Sequence, residues 1–236
     1  MNISKPFGNI ATAVLELFFP PICTSCGTHL FKKEVEICQM CIHRLPRTYF
    51  EKRPDENKMS LLMWGRCHLE HAFSLFYYKK GELVQRLLHE IKYRRNIELG
   101  RELGRQLAKV IRQTKPEEYD CIIPIPLHPR KLKLRGFNQA EIIAEGMAEI
   151  LSVTLETNSV QRKVHTDSQT RKGRFERWLN VENIFSVANA SELANKHVLL
   201  IDDVITTGST MEACINAINE VDGTKVSIAT IACAGL

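Results

Sequence analysis

Two adjacent carboxylates, Asp202 and Asp203, stand between an apolar run, Val198-Leu-Leu-Ile201, and a hydroxyl-rich loop around one glycine, Thr206-Thr-Gly-Ser-Thr210. The apolar run reads as a strand buried on both faces. Beyond the loop, Met211, Cys214, Ile215, Ile218 and Val221 recur at the spacing of one helical face. A small-residue loop that opens a helix presents unpaired backbone N–H groups and the positive end of the helix dipole, which suits a phosphate. Thr206, Thr207, Ser209 and Thr210 add hydroxyl donors, and Gly208 lets the backbone approach closely. Two carboxylates just upstream would repel that phosphate unless they serve a sugar or a metal on the same ligand. Acids for ribose hydroxyls beside a cradle for a 5′-phosphate describe a phosphorylated ribose. An apolar strand ending in Asp-Asp also occurs in nucleotide hydrolases and phospho-acceptor domains. A P-loop nucleoside triphosphatase would need G-x-x-x-x-G-K-[ST], and the chain has no such string.

Two further segments carry positive charge. In residues 124–140 three prolines stiffen the backbone, Arg130, Lys131, Lys133 and Arg135 are basic, and Gly136 permits a turn before a helix. Such a rigid basic loop can hold pyrophosphate, and it also fits a solvated surface loop. Residues 162–180 hold six Lys or Arg against two acids, with weak periodicity. That composition suits a lid that excludes water from a phosphate site, or a plain surface insertion.

Four of the eight cysteines form Cys23-x-x-Cys26 and Cys38-x-x-Cys41, separated by eleven residues. In a reducing compartment such knuckles read as zinc ligands rather than disulfides. Four thiolates complete a tetrahedron and leave no open position, so the metal would be structural. His29 and His43 lie close enough in sequence to compete as ligands. A segment with few large apolar residues needs such a staple.

These groups require a scaffold. At 236 residues and 44% hydrophobic, the chain can build one α/β domain with a small appendage. We divide it into an appendage (1–50), a linker (51–70) and the main domain (71–236). A strand is expected at 72–78, then amphipathic helices through Leu83, Val84, Leu87, Leu88 and Ile91 and through Leu99, Leu103, Leu107, Val110 and Ile111. Strand, loop and helix then alternate: strands at 121–125, 153–156, 183–187, 198–201 and 225–231, with a helix over 138–151. This alternation argues a parallel sheet with ligands at the carboxyl ends of its strands. Residues 10–19 read as a short amphipathic helix, since Glu16 and Pro20-Pro21 break a signal-peptide pattern. No stretch is long enough to cross a membrane, and a cytoplasmic location is expected. A net charge of +5 suits phosphorylated ligands and permits nucleic acid. Aromatic content of 7% offers no dense stacking platform.

Taken together the motifs resemble the ComF family, across essentially the whole chain. They are Phe-Pro-Pro-x-Cys-x-x-Cys (19–26), Ile91-Lys-Tyr93, Pro-Leu-His-Pro…Arg-Gly-Phe-Asn-Gln (126–139), Thr-x-x-Gln-Thr…Arg-x-x-Asn-Val…Phe (166–185) and the Asp-Asp loop. Many relatives carry further cysteines after the knuckles, whereas this chain has only Cys67 there, which speaks against a second metal. The resemblance implies a type I phosphoribosyltransferase-like parallel sheet flanked by helices, with an N-terminal zinc knuckle on Cys23, Cys26, Cys38 and Cys41. It implies phosphoribosyl diphosphate as ligand, with Mg²⁺, and transfer of the phosphoribosyl group to a nitrogen acceptor. Asp202 and Asp203 would be catalytic, and Thr206, Thr207, Gly208, Ser209 and Thr210 would hold the 5′-phosphate. Leu127, His128, Arg130, Arg135, Gly136 and Asn138 would form the pyrophosphate loop, and Gln169, Arg171 and Arg174 the lid. Lys92 and Tyr93 are further candidate ligand contacts. Relatives linked to natural competence imply single-stranded DNA and competence proteins as partners. The rival reading is a DNA-binding protein that keeps the phosphoribosyl site as a sensor or scaffold.

Overall fold

Apolar runs without polar alternation become strands covered on both faces, and here they form the centre of the fold. The computed structural model describes residues 20–114, 119–163 and 184–235. Its strands are β1 (Ala72–Tyr78), β2 (Cys121–Pro124), β3 (Thr154–Leu155), β4 (Val160–Arg162), β5 (Phe185–Val187), β6 (His197–Ile205) and β7 (Lys225–Ala234). Its helices are α1 (Gln39–Arg44), α2 (Lys58–Met63), α3 (Leu83–Arg94), α4 (Ile97–Thr114), α5 (Pro129–Arg135), α6 (Gln139–Leu151) and α7 (Ser209–Asn219). Among the described residues, five strands form a parallel sheet in the order β1-β7-β6-β2-β3. β6 and β7 occupy its middle, with Leu200 opposite both Ile123 and Ile228.

β6 runs four residues beyond the expected end at Ile201, because β7 keeps pairing with it: Asp202 faces Thr230, and Ile205 faces Cys233. The acid pair therefore lies inside a strand. Successive side chains of a strand point to opposite faces. Asp203 and Ile205 are buried, and Asp202 and Val204 are part-buried on the other face.

The strand expected at 183–187 forms as β5, but it leaves the parallel series and pairs antiparallel with β4, Gln161 facing Ser186. The helices around the sheet follow the apolar pattern. α3 buries Val84, Leu87, Leu88 and Ile91, and α4 buries Leu99, Leu103, Leu107 and Ile111. α4 packs on α6 at very close range through glycines. A Cβ added at Gly104 would lie 2.1 Å from the Ile143 carbonyl oxygen, and one at Gly146 would lie 2.1 Å from that of Arg101.

Residues 51–70, expected to be a linker, are a built part of the domain. Asn57 caps α2 through Met59 N (2.9 Å) and Ser60 N (3.1 Å), and the Ser60 hydroxyl accepts from Asn57 N. Asn57 Nδ2 donates to the Ala72 carbonyl at the start of β1. Met59 and Met63 then enter the core beside Ile205 and Met211.

The chain divides into two compact units at Leu45 and Pro46. In the described part of the first unit, Leu30, Ile37 and Leu45 are buried with Cys23, Cys38 and Cys41. The helix expected at 10–19 lies outside the described residues, as do residues 164–180 of the lid segment.

Candidate functional site

The carboxyl end of β6 carries the acids and leads into residues 206–208 before α7 begins. Gly208 is the N-cap residue of α7 with φ +79°, a left-handed conformation that glycine adopts without a Cβ clash. A Cβ there would also lie 2.9 Å from Met63 Sδ. No side chain caps this helix, so its first-turn N–H groups face the loop. Val204, residues 205–210, Met211 and Asp202 line an open cavity of about 300 Å³. Thr207 and Ser209 hydroxyls lie 3.2 Å apart and exposed at its mouth.

Arg66, in the segment expected to be a linker, braces this loop. Its Nη1 donates to the Thr207 carbonyl (2.8 Å), and its guanidinium grips Glu212 of α7, with Nε to Oε2 at 3.1 Å and Nη2 to the same oxygen. The sequence reading missed Arg66 because nothing local links it to a glutamate 146 positions away.

A second open cavity, about 510 Å³, lies over both acids and reaches Lys92, Lys131, Arg135, Arg162 and Thr210. Lys92, part-buried on α3, forms an ion pair with Asp203 Oδ2. That oxygen is buried and accepts no directed hydrogen bond among the described residues. Asp202 Oδ1 accepts the Asp203 backbone N–H at 2.8 Å. Burial and the neighbouring Asp203 charge push the Asp202 carboxyl well above the usual carboxylate range. Two hard oxygen donors, one without a directed hydrogen bond, fit a ligand that arrives with hydroxyls or with Mg²⁺. Arg162, the first residue of the basic segment expected to be a lid, instead belongs to β4 and lies near Asp202 on the wall of the same cavity.

The basic segment is not a loop throughout: residues 129–135 form α5. Pro129 occupies the first turn, His128 Nδ1 accepts from Arg130 N (3.2 Å), and Gly136 ends the helix at φ +82°. This places Lys131 and Arg135 toward the acids, with Leu127 on the cavity wall, while Arg130 is exposed. Asn138 is committed elsewhere. Its Oδ1 caps α6 at Ala140 N (3.1 Å), and its Nδ2 donates to the Ile125 carbonyl (3.0 Å). Gln169, Arg171 and Arg174 lie outside the described residues. Tyr93 is 61% exposed and stands off the acid pair, beside Arg135.

In the first unit the Sγ atoms of Cys23, Cys26, Cys38 and Cys41 all lie within 4.8 Å of one another. The Cys26–Cys38 separation is 3.7 Å. A tetrahedron with metal–sulfur bonds of about 2.3 Å has edges of about 3.8 Å, so the four thiols fit one such ion. Neither His29 nor His43 belongs to the group. The Thr28 hydroxyl holds Cys26 down to about 6, whereas burial pushes Cys41 up to about 12.

A parallel sheet whose carboxyl end joins an acid pair to a glycine-hinged, hydroxyl-rich loop defines the phosphoribosyltransferase class of α/β proteins. Residues 96–235 match the phosphoribosyl transferase domain family, and the chain belongs to it as a ComF-type member with a four-cysteine N-terminal cluster. It is 29% identical over 196 residues to competence protein F of Haemophilus influenzae Rd, covering 81% of this chain and 75% of that protein. With competence protein ComFC of Bacillus subtilis 168 the identity is 26% over 195 residues, covering 80% and 74%. With DNA utilization protein YhgH of Salmonella typhimurium LT2 it is 30% over 129 residues, covering 53% and 56%. Among the described residues, no helix is long and apolar enough to cross a membrane.

Proposed function

We propose that this chain binds phosphoribosyl diphosphate with Mg²⁺ and transfers its phosphoribosyl group to a nitrogen acceptor, in the setting of DNA uptake and use that its relatives' names describe. One observation carries the reading: the acid pair and the uncapped start of α7 open on adjoining cavities that share Asp202 and Thr210. The 5′-phosphate would sit on residues 206–210, the ribose hydroxyls on Asp202 and Asp203, and the pyrophosphate toward Lys131, Arg135 and Arg162. In the transfer the C1–O bond breaks and its electron pair leaves with pyrophosphate. The acceptor nitrogen supplies the pair for the new C–N bond, and its proton passes to solvent. Asp202 and Asp203 offset the positive charge that develops on the sugar, and fixed cations meet the departing anion. Mg²⁺, held mainly by ligand oxygens and water with the two aspartates as its protein carboxylates, would neutralise pyrophosphate. In the N-terminal unit we assign structural Zn²⁺ to the four cysteines.

The test is calorimetry with phosphoribosyl diphosphate and Mg²⁺. Asp203→Asn is expected to weaken binding by about 1.5–3 kcal/mol through loss of a charge-assisted hydrogen bond. The fold should tolerate the change, because Lys92 is long enough to carry its ammonium to water. Absence of binding by the wild type at millimolar ligand would remove the phosphoribosyl reading.

A second reading, single-stranded DNA binding with competence proteins as partners, is favoured by α5, where Arg130, Lys131 and Lys133 are exposed together. If they contact a nucleic-acid backbone, affinity falls with salt by about 0.7 log units per log unit for each phosphate neutralised. Replacing Arg130, Lys131, Lys133 and Arg135 by alanine should then flatten the slope by up to about 3, equally for all base sequences. Displacement of the oligonucleotide by phosphoribosyl diphosphate would place both ligands on one site. Salt-insensitive or absent oligonucleotide binding leaves the small-molecule reading alone.

A further inference from the structure

Beside the acid-pair cavity lies a third, of about 320 Å³, which shares Lys92 and Arg135 with it and adds Tyr93, Arg95 and Leu134. It gathers three cations and no carboxylate. Lys92 is paired with Asp203, and Arg135 donates from Nη1 to the neutral side chain of Gln139 (2.8 Å). Among the described residues no carboxylate pairs with Arg95, while its neighbour Arg94, outside the cavity, pairs with Glu90. Arg95 lines this cavity and not the one over the acids.

The backbone at Arg95 is informative. It ends α3 in the left-handed conformation, φ +56°, where helices ordinarily place glycine. An arginine stands there instead, and its guanidinium reaches over Gly136, so that a Cβ on that glycine would lie 3.3 Å from Arg95 Nη2. Beside it, the exposed ring of Tyr93 lies 4.5 Å from the His89 ring and 5.4 Å from the Arg135 guanidinium carbon. Lysine and arginine donate hydrogen bonds and accept none. A wall of such groups is poorly matched to a neutral base, whose N–H donors would face cations. It is well matched to a flat ring that carries acceptor-only anionic oxygens, since Arg forks hold carboxylate and phosphate in two-pronged fashion.

We propose that this cavity is the acceptor subsite and takes a planar ring bearing a carboxylate or a phosphate, held by Arg95 and Arg135 with Tyr93 supporting the ring. The assignment as acceptor rests on the reading that the neighbouring acids hold phosphoribosyl diphosphate. The anion preference rests on the cavity alone.

The test uses the full chain and calorimetry with orotate, phenyl phosphate and uracil, each with and without phosphoribosyl diphosphate and Mg²⁺. At least one anionic probe is expected to bind about tenfold tighter than uracil, and the tighter of the two identifies carboxylate or phosphate. Arg95→Gly removes the guanidinium and also relieves the left-handed backbone, so its melting temperature should hold or rise. That variant is expected to lose most of the anion preference while its affinity for phosphoribosyl diphosphate stays within about twofold. Arg95→Lys, which keeps the charge without the fork, should retain part of the preference. Equal affinity for uracil, an unchanged preference in Arg95→Gly, or no probe binding in either condition overturns the subsite. An Arg95-dependent anion preference in a protein that ignores phosphoribosyl diphosphate would instead overturn the reading of the acid pair and leave an anion site.

Discussion

Gly104→Ala is expected to destabilise the sheet-bearing unit by about 3 kcal/mol or more, at the upper end of the usual cost of overpacking. In an exposed helix interior the same change would stabilise by about 1 kcal/mol, because glycine is the poorer helix former. The sign reverses here because the added Cβ would lie 2.1 Å from the Ile143 carbonyl oxygen, and that atom is backbone of α6 rather than the end of a flexible side chain. Relief requires α4 and α6 to separate. For a chain of this size the loss should lower the melting temperature by about 6–12 °C in calorimetry. Gly100→Ala is the milder comparison, since its Cβ would meet Ile142 Cγ2 at 2.8 Å, a side-chain rather than a backbone atom, and a smaller loss is expected. The effect reaches the site as well. α6 begins at Gln139, which accepts from Arg135, and Asn138 ties its start to Ile125. A displaced α6 therefore shifts the basic wall over the acids, and the variant should bind phosphoribosyl diphosphate more weakly even below its melting point. Unchanged stability would show that the two helices approach less closely than the geometry requires.

Much of this arrangement was legible because it is local in the chain. The strand, the acids, the Gly208 hinge and the apolar face of α7 follow one another without interruption, so pattern and turn chemistry sufficed. The apolar faces of α3 and α4 were legible for the same reason. Other features depend on partners that adjacency does not reveal. Arg66 meets Thr207 and Glu212 only after the sheet has formed, and the Lys92–Asp203 pair joins α3 to β6. α5 is different, since its signals were present. Pro129 in the first turn and Gly136 just past the last match the usual asymmetry of helix ends, but three prolines in a basic segment equally describe a stiffened loop. The acid pair carries its own lesson. Adjacency in sequence suggested two carboxylates on one ligand face, whereas the two-residue period of β6 turns Asp202 toward α7 and Asp203 toward α3. One cavity still reaches both, because it lies at the strand's carboxyl end, where both faces of the sheet are accessible.

Cys23→Ser is expected to abolish zinc binding and to unfold the N-terminal unit while the sheet-bearing unit keeps its fold. Cys23 is 1% exposed, and its Sγ accepts the Cys38 backbone N–H at 3.3 Å, so it ties the two knuckles together even apart from a metal. Among the described residues of this unit, the apolar side chains buried with the cysteines are Leu30, Ile37 and Leu45. Structural zinc in small fingers supplies about 10–16 kcal/mol of apparent binding free energy at neutral pH, and in such domains that free energy is the folding free energy. Three thiolates and a serine hydroxyl forfeit much of it, and the remaining apolar contacts are too few to hold the turns. Metal analysis should give about one zinc per wild-type chain and close to none in the variant. Hydrogen exchange should become fast across residues 20–45 and stay slow in β6 and β7. Cys67→Ser, outside the cluster, should keep both the metal and the protection. Prolonged chelation of the wild type should reproduce the variant's exchange pattern, since the same ligand set is disarmed from the metal side. A native preparation that is free of metal and still protected throughout residues 20–45 would show that hydrogen bonds and packing alone hold this unit.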